Sequence, residues 1–449
     1  MRILCLNCGS SSVKYRLYDW DKQKTLATGV VERVTVGNSF IVHEVSGREK
    51  LVNKRDCPDH KAAIKLVMDA LVHPEHGVIP DTGSIEAVGH RVVHGGEKFA
   101  KSVLIDKEAL DAFKQISDLA PLHNPPNIMG IEAAQDLMPR IPHVAIMDTA
   151  WHQTMPAHAY IYALPYSWYE KYGVRRYGFH GTSFLFNAKR AAVLLGKDPF
   201  KCNLVICHIG NGASINAVKD GLSYDTSMGM TPLEGLVMGT RAGDHDPAID
   251  FFVMAKENLS PKEMDAILNK KSGVLGVTGK FTDRRDVEEA AAMGDARAAL
   301  ALQIEGYRIK KYIGAYAAAV GGLDAVVFTA GVGEMSDHIR ALACGGLGSM
   351  GIRLDEEKNR LAHTRNAECD ISAANSKVKV FVIPTDEERV FIEDVDAITE
   401  GTYDVHTRFT YRFQSPDYRN TMRDEGFRRE LEKTPGLARV ACDPPKVKA

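Results

Sequence analysis

The chain has 449 residues and a mass of 49.3 kDa, room for two or three domains at roughly 100–200 residues each. Apolar residues make up 45% and charged residues 25%, the balance of a soluble globular protein. With 56 Lys and Arg against 58 Asp and Glu, the net charge of −2 argues against bulk attraction to nucleic acid or an anionic membrane. No apolar run approaches the roughly 20 residues that cross a bilayer, and the first dozen residues are too weakly apolar for a secretory signal. A cytoplasmic location is the expectation. Eight cysteines are too few for a disulfide scaffold.

Strands and helices alternate along the chain, which predicts an α/β or mixed fold. Residues 2–6 read as a buried strand, followed by a small-residue turn from Asn7 to Ser12 and a second strand over 13–18. Cys5 and Cys8 form a CxxC pair, but three residues along a strand place them on opposite faces, so they are expected to be structural. Asp106 opens a helix with Leu110, Phe113, Ile116 and Leu119 at helical spacing, closed by Pro121. Thr182 is expected to cap a helix that ends at Gly196. Residues 204–209, a Gly-Asn-Gly turn and residues 215–218 repeat the opening strand–turn–strand pattern, which points to a duplicated fold. Asp295 opens a long helix ending at Gly321, and a strand over 325–329 follows. Thr385 and Glu388 have capping-box spacing. From about residue 401 the chain turns Pro- and Arg-rich with little periodicity, predicting a loose, surface-wrapping extension with a short helix near 420–432.

Three glycine-bearing turns carry anion chemistry. In the first, Gly9, Ser10, Ser11 and Ser12 offer N–H and hydroxyl donors, and Lys14 adds a charge; the GxxxxGK[ST] spacing is absent. The second holds His208, Ile209, Gly210, Asn211 and Gly212. The third, Gly331, Val332, Gly333, Glu334 and Met335, lies between a strand and a helix capped by Ser336. Arg91 runs into a Gly-Gly turn and Arg241 sits between glycines; two arginines in such apolar settings suit a carboxylate or phosphate clamp. His180 precedes a helix start, and a packed core histidine is the alternative. His123, in a Pro-rich turn, is open to both readings. Asp148 ends an apolar stretch, where it is either a metal- or water-handling carboxylate or a helix cap.

These motifs resemble the acetate kinase family, of the acetate and sugar kinase, Hsc70 and actin superfamily. The resemblance runs over about residues 1–400, through segments 7–14, 90–97, 121–126, 148–156, 177–183, 208–214, 225–246, 331–334 and 384–388. It implies two duplicated ribonuclease-H-like (actin-like ATPase) domains with an active-site cleft between them. The N-terminal domain would span 1–150 plus about 385–400, the nucleotide-binding domain 151–384, and the extension 401–449 has no counterpart in the pattern. The implied reaction is reversible transfer of the ATP γ-phosphoryl group to acetate, giving acetyl phosphate and ADP. Arg91 and Arg241 would hold substrate and the moving phosphoryl group, His180 would stabilise the transition state, and Asp148 would be the catalytic carboxylate. Asn7 and Glu387 would position Mg²⁺, with Mn²⁺ as a substitute. ATP would be held by Ser10, Ser12, Lys14, the 208–212 turn, Asp283, Arg284, Arg285 and the 331–335 turn. A homodimer is implied as well, with no nucleic-acid or membrane partner.

Two positions depart from the family pattern: Met335 and Asp386 each stand where asparagine is usual. Asp386 is expected to add charge near the metal. Acetate is ionised at neutral pH, so the nucleophile has no proton to lose, and Asp148 is expected to orient a magnesium-bound water rather than act as a base. Val93, Leu122, Phe179 and Pro232 are expected to bound a small methyl pocket, with His123 in the substrate set. A propionate or other short-chain acyl kinase is the near alternative. A partner-driven ATPase of the Hsc70 type is the distant one, and it leaves Arg91 and Arg241 without a task. Because every matched motif precedes residue 402, the extension is expected to be dispensable for catalysis.

Overall fold

The computed structural model describes residues 1–121 and 123–443. Two compact units divide the chain: Met1–Gln153 with Asp386–Tyr411, and Thr154–Thr385 with the segment from Arg412 onward. In the first unit, β1 (Arg2–Cys8), β2 (Ser12–Asp19), β3 (Lys24–Glu32), β4 (Phe40–Glu44), β5 (Leu51–Lys54), β6 (Ala87–Val92), β7 (Val103–Leu104) and β8 (His143–Met147) form one sheet. Its lateral order is β5-β4-β3-β2-β1-β6-β8-β7. The second unit holds β9 (Leu204–Ile209), β10 (Ala213–Lys219), β11 (Leu222–Thr226), β12 (Ala325–Thr329), β13 (Cys369–Asp370) and β14 (Lys379–Val382), in the order β11-β10-β9-β12-β14-β13.

The two orders share a pattern. An antiparallel meander (β3-β2-β1 or β11-β10-β9) is continued by two parallel strands (β6, β8 or β12, β14) and closed by one antiparallel strand. This is the duplication the strand–turn–strand units predicted.

The period of two along β1 divides the first unit's core. Leu4, Leu6 and Cys8 pack on one face with Ala63, Ile64 and Val67 of the helix His60–Leu71. Ile3 and Cys5 pack on the other with Phe391, Ile392 and Val395 of the helix Glu387–Thr399. The two cysteines therefore face opposite ways as unpaired thiols, and burial pushes each up to about 12.

Asp106 and Asp295 cap the helices they were expected to open, accepting from the N–H groups of Ala109 and Ala298. Two starts differ. The helix Gly181–Leu195 begins ahead of Thr182, with His180 at its N-cap in the left-handed region at φ 57°. The helix Glu387–Thr399 is capped by Asp386, whose carboxylate accepts from the Arg389 N–H at 3.2 Å, so the box of Thr385 and Glu388 does not form. Arg16 pairs with the same carboxylate at 3.3 Å, and the charge expected near a metal is spent on a cap and an ion pair.

The extension is built in rather than loose. Tyr411 is buried in the first unit and donates to Asp394 at 2.9 Å. In the second unit Phe413 is fully buried against Phe186, with ring centroids 4.9 Å apart, and the helix Thr421–Lys433 is followed by buried Leu437 and Val440. Widely spaced apolar residues carry this burial, so periodicity does not reveal it. Among the described residues no helix is long and apolar enough to cross a membrane.

Candidate active site

In the first unit, β6 and β8 run parallel with Arg91 opposite Ile146, so Arg91 and Asp148 meet at the carboxyl ends of neighbouring strands. Nε and Nη2 of Arg91 donate to the two oxygens of Asp148 at 2.9 and 2.6 Å, a fork-to-fork pair. Asp148 is 1% exposed. Burial alone would lower the Arg91 pKa, but Asp148, with Glu387 and Glu388 behind it, raises it. Arg91 is thus not the free clamp of the sequence reading; only Nη1 is left to meet an anion.

A cavity of about 570 Å³ brings Asn7, Lys14, Arg91, Glu387 and Glu388 together. The amide oxygen of Asn7 and the carboxylate of Glu387 are hard donors of the kind Mg²⁺ accepts alongside water. Among the described residues no cluster of three or more His, Cys, Asp or Glu forms a complete protein cage. Ser10 and Ser12 do not line this cavity; they shape the β1–β2 turn, closed by Gly9 N–H donating to Ser12 O at 2.8 Å.

Val93 donates its N–H to Asn127 Oδ1 at 3.0 Å, and Asn127 Nδ2 donates to Cys8 O at 2.7 Å. Asn124 holds both backbone groups of His94. Sequence reasoning passed over these two buried asparagines, which tie the ends of β1 and β6 to the helix Asn124–Leu137. The signal was polar residues three apart entering an apolar helix face. His123 precedes that helix, and Leu122 lies outside the described residues.

In the second unit, His180 Nδ1 lies 2.8 Å from Ser214 Oγ, and its ring stacks on His208 at 4.0 Å and 14°. Arg241 is half-buried and forms no ion pair among the described residues; its closest polar contacts are Pro232 O at 3.3 Å and Met238 sulfur at 3.7 Å. Burial without a counter-charge lowers its pKa. A Cβ placed on Gly212 would lie 3.4 Å from Arg241 Nη1 and 4.0 Å from His180 Nε2, so both side chains approach the glycine turn after β9. Phe179 is buried, and Pro232 meets Arg241 through its carbonyl.

A second cavity, about 580 Å³, is lined by Gly210, Asn211, Asp283, Arg285, Gly331 and Met335, with Arg284, Val332 and Arg365 also at its wall. The cationic residues differ in availability. Arg284 is buried in a bidentate pair with Glu305, at 2.7 Å from Nη2. Arg285 pairs with Asp283 and, through that hydrogen bond, drives its carboxyl down to about 2. Arg365 is 64% exposed and only 3.9 Å from Glu334, which leaves its charge available. It sits in an irregular segment with no motif to betray it. His208, Ile209, Gly333 and Glu334 do not line the cavity but brace it. Glu334 Oε1 accepts from the N–H groups of Ala330 and Thr385 at 2.8 and 3.2 Å, and Gly333 O accepts from buried Arg340 at 3.0 Å.

Comparison with known proteins places these elements in a family. The model of the acetokinase family matches residues 2–393. An acetate kinase of Geobacter metallireducens is 65% identical over 418 residues, 93% of this chain and 99% of the relative. The crystal structure of Porphyromonas gingivalis acetate kinase superposes with a TM-score of 0.85 at 47% identity, covering 89% of this chain and 99% of that one. A propionate kinase from Francisella tularensis superposes at 0.81 with 41% identity, covering 88% and 99%.

Proposed function

This chain belongs to the acetokinase family, and on that premise we propose that it is an ATP:acetate phosphotransferase, interconverting ATP and acetate with ADP and acetyl phosphate. The observation that carries the chemistry is Arg241, a half-buried guanidinium without a carboxylate partner, beside His180 at a glycine turn. Phosphoryl transfer to a carboxylate brings anions together, so fixed positive charge aimed at the transferring group lowers the barrier most. Arg241 needs little reorganisation to supply it. His180 is oriented by Ser214 at Nδ1, with Nε2 toward the glycine turn. The acetate oxygen arrives ionised, so no base is required; Asp148, with both oxygens engaged by Arg91, suits a fixed orienting role. Asn7 and Glu387 would hold Mg²⁺, which supplies charge neutralisation at the phosphate oxygens. The 210–212 turn and the 331–335 segment, which forms the short helix Ala330–Met335 rather than the turn read from the sequence, would hold ATP together with Arg365.

The propionate kinase likeness keeps one second reading open, that a longer acid is preferred. A homodimer, which the family resemblance implies, is compatible with large exposed apolar side chains on the second unit, where Phe251, Phe252 and Tyr307 are 72%, 63% and 63% exposed. The near-neutral charge supports an enzyme without bulk attraction to nucleic acid or to an anionic membrane. The test is acyl-phosphate formation, trapped as hydroxamate, from ATP, Mg²⁺ and acetate, propionate or butyrate. The highest kcat/KM should fall on acetate. A maximum at propionate selects the second reading, and no acyl phosphate from any acid overturns both.

A further inference from the structure

We propose that the C-terminal extension positions the histidine pair of the site, with Arg423 and Thr385 as its positioning residues; this rests on the kinase reading above. Arg423 lies in the first turn of the helix Thr421–Lys433, whose start is fixed by Asn420 accepting from the Arg423 N–H at 3.3 Å. Its Nη1 donates to Pro384 O at 2.8 Å and its Nη2 to Thr385 O at 2.6 Å. One rigid fork thus holds two successive carbonyls, while Glu334 Oε1 accepts from the Thr385 N–H at 3.2 Å. Thr385 is fixed from both sides, by the extension and by the short helix Ala330–Met335.

What Thr385 does with that fixed position is chemical. Its hydroxyl donates to Ser183 Oγ at 2.9 Å, and Ser183 Oγ lies 2.8 Å from His208 Nδ1. Ser183 Oγ accepts from Thr385 and, at 3.5 Å, from Asn187 Nδ2, so with both lone pairs taken it turns its own proton to His208 Nδ1. That ring nitrogen becomes the acceptor, and the neutral imidazole carries its proton on Nε2. His208 in this state is the platform on which His180 stacks at 4.0 Å. A neutral partner lets His180 take up positive charge opposite a transferring phosphoryl group, where a cationic one would repel it. Every member of this chain, from Arg423 to His180, belongs to the second unit.

Thr385→Val removes the hydroxyl and keeps the shape; Thr385→Ser keeps the donor. Arg423→Ala removes the fork. The readouts are the His208 tautomer by long-range proton–nitrogen NMR on the full chain, and kcat and KM for ATP and acetate. We expect parent and Thr385→Ser to show the Nε2–H form of His208. Thr385→Val and Arg423→Ala should lose or mix it, with kcat down about tenfold and KM for both substrates within about twofold. An unchanged tautomer in Thr385→Val, or an altered tautomer with parental kcat, overturns the proposal. A parent that makes no acyl phosphate overturns the kinase reading instead, and the tautomer comparison still decides the hydrogen-bond relay.

Discussion

Arg91 and Arg241 look alike as letters, each flanked by glycine, yet their surroundings set them apart. Arg241 lacks a carboxylate, so Arg241→Ala removes charge from the site and leaves no buried anion behind. Turnover should fall by up to about 10³-fold with the melting temperature within about 2 °C of the parent. Arg91→Ala strands the buried Asp148 carboxylate. Breaking a fully buried pair costs about 3–5 kcal/mol. Arg91 is itself 25% exposed, so the loss should be smaller, but the melting temperature should fall together with kcat. Steady-state kinetics and calorimetry on both variants check this; equal thermal shifts would contradict the distinction. Asp148 separates in the same way from a base. Asparagine keeps one acceptor for Arg91 where alanine keeps none. Asp148→Asn should therefore retain measurable turnover with a raised Mg²⁺ requirement, and Asp148→Ala should lose more. If both are equally inactive and Mg²⁺ affinity, measured by titration, is unchanged, Asp148 is the base instead.

The strands of the first sheet carry a pH dependence of their own. His90 on β6 and His143 on β8 share a 2.9 Å contact, and His143 Nε2 lies 3.0 Å from Met138 O. That carbonyl can only accept, so His143 Nδ1 is bare and takes the His90 proton; neither ring is charged. Burial lowers both pKa values, and for His90 the neighbouring His143 lowers it further. Unfolded histidines take up protons below about pH 6.5 and the folded pair does not, so its contribution is complete above that pH and is lost as pH falls. The loss approaches about 1.4 kcal/mol per pH unit for each histidine. Asp394, raised by burial to about 7, acts in the opposite sense and gains stability on acidification. Urea titrations of the parent against His90→Gln, between pH 7.5 and 5.5, isolate the pair; the variant should decline less steeply. The elements themselves were legible where one face or both were uniformly apolar. Residues 204–209 and 325–329 match β9 and β12 to the residue. The anion turns were legible because glycine and serine there have few other uses. Side-chain partners were not. Nothing near Arg91 in sequence announces that Asp148, 57 residues on, will claim its guanidinium, and nothing near Arg284 announces Glu305. Asp386 reads as a metal-site charge until the cap and Arg16 are seen to use it.

Across the whole chain, the extension is where sequence and structure part furthest. It contributes buried Tyr411, Phe413, Leu437 and Val440, and burying such side chains is worth about 1.5–3 kcal/mol each. Deleting residues 402–449 should therefore give insoluble protein or a melting temperature at least about 5 °C lower, against the dispensability its composition suggested. A soluble truncation with parental melting temperature and kcat would show that these contacts add nothing. The first unit poses a related problem at an earlier stage. Ile3, Cys5 and Ile146 are made early, but Phe391, Ile392 and Val395, which cover them, follow the last of these by roughly 240 residues. At about 5–20 residues per second, this apolar patch on one face of the first sheet waits about 12–50 s on the ribosome for its cover. A nascent chain stalled before residue 387 should accordingly hold a trigger-factor-type chaperone on that face, and one stalled some 40 residues beyond 399 should release it.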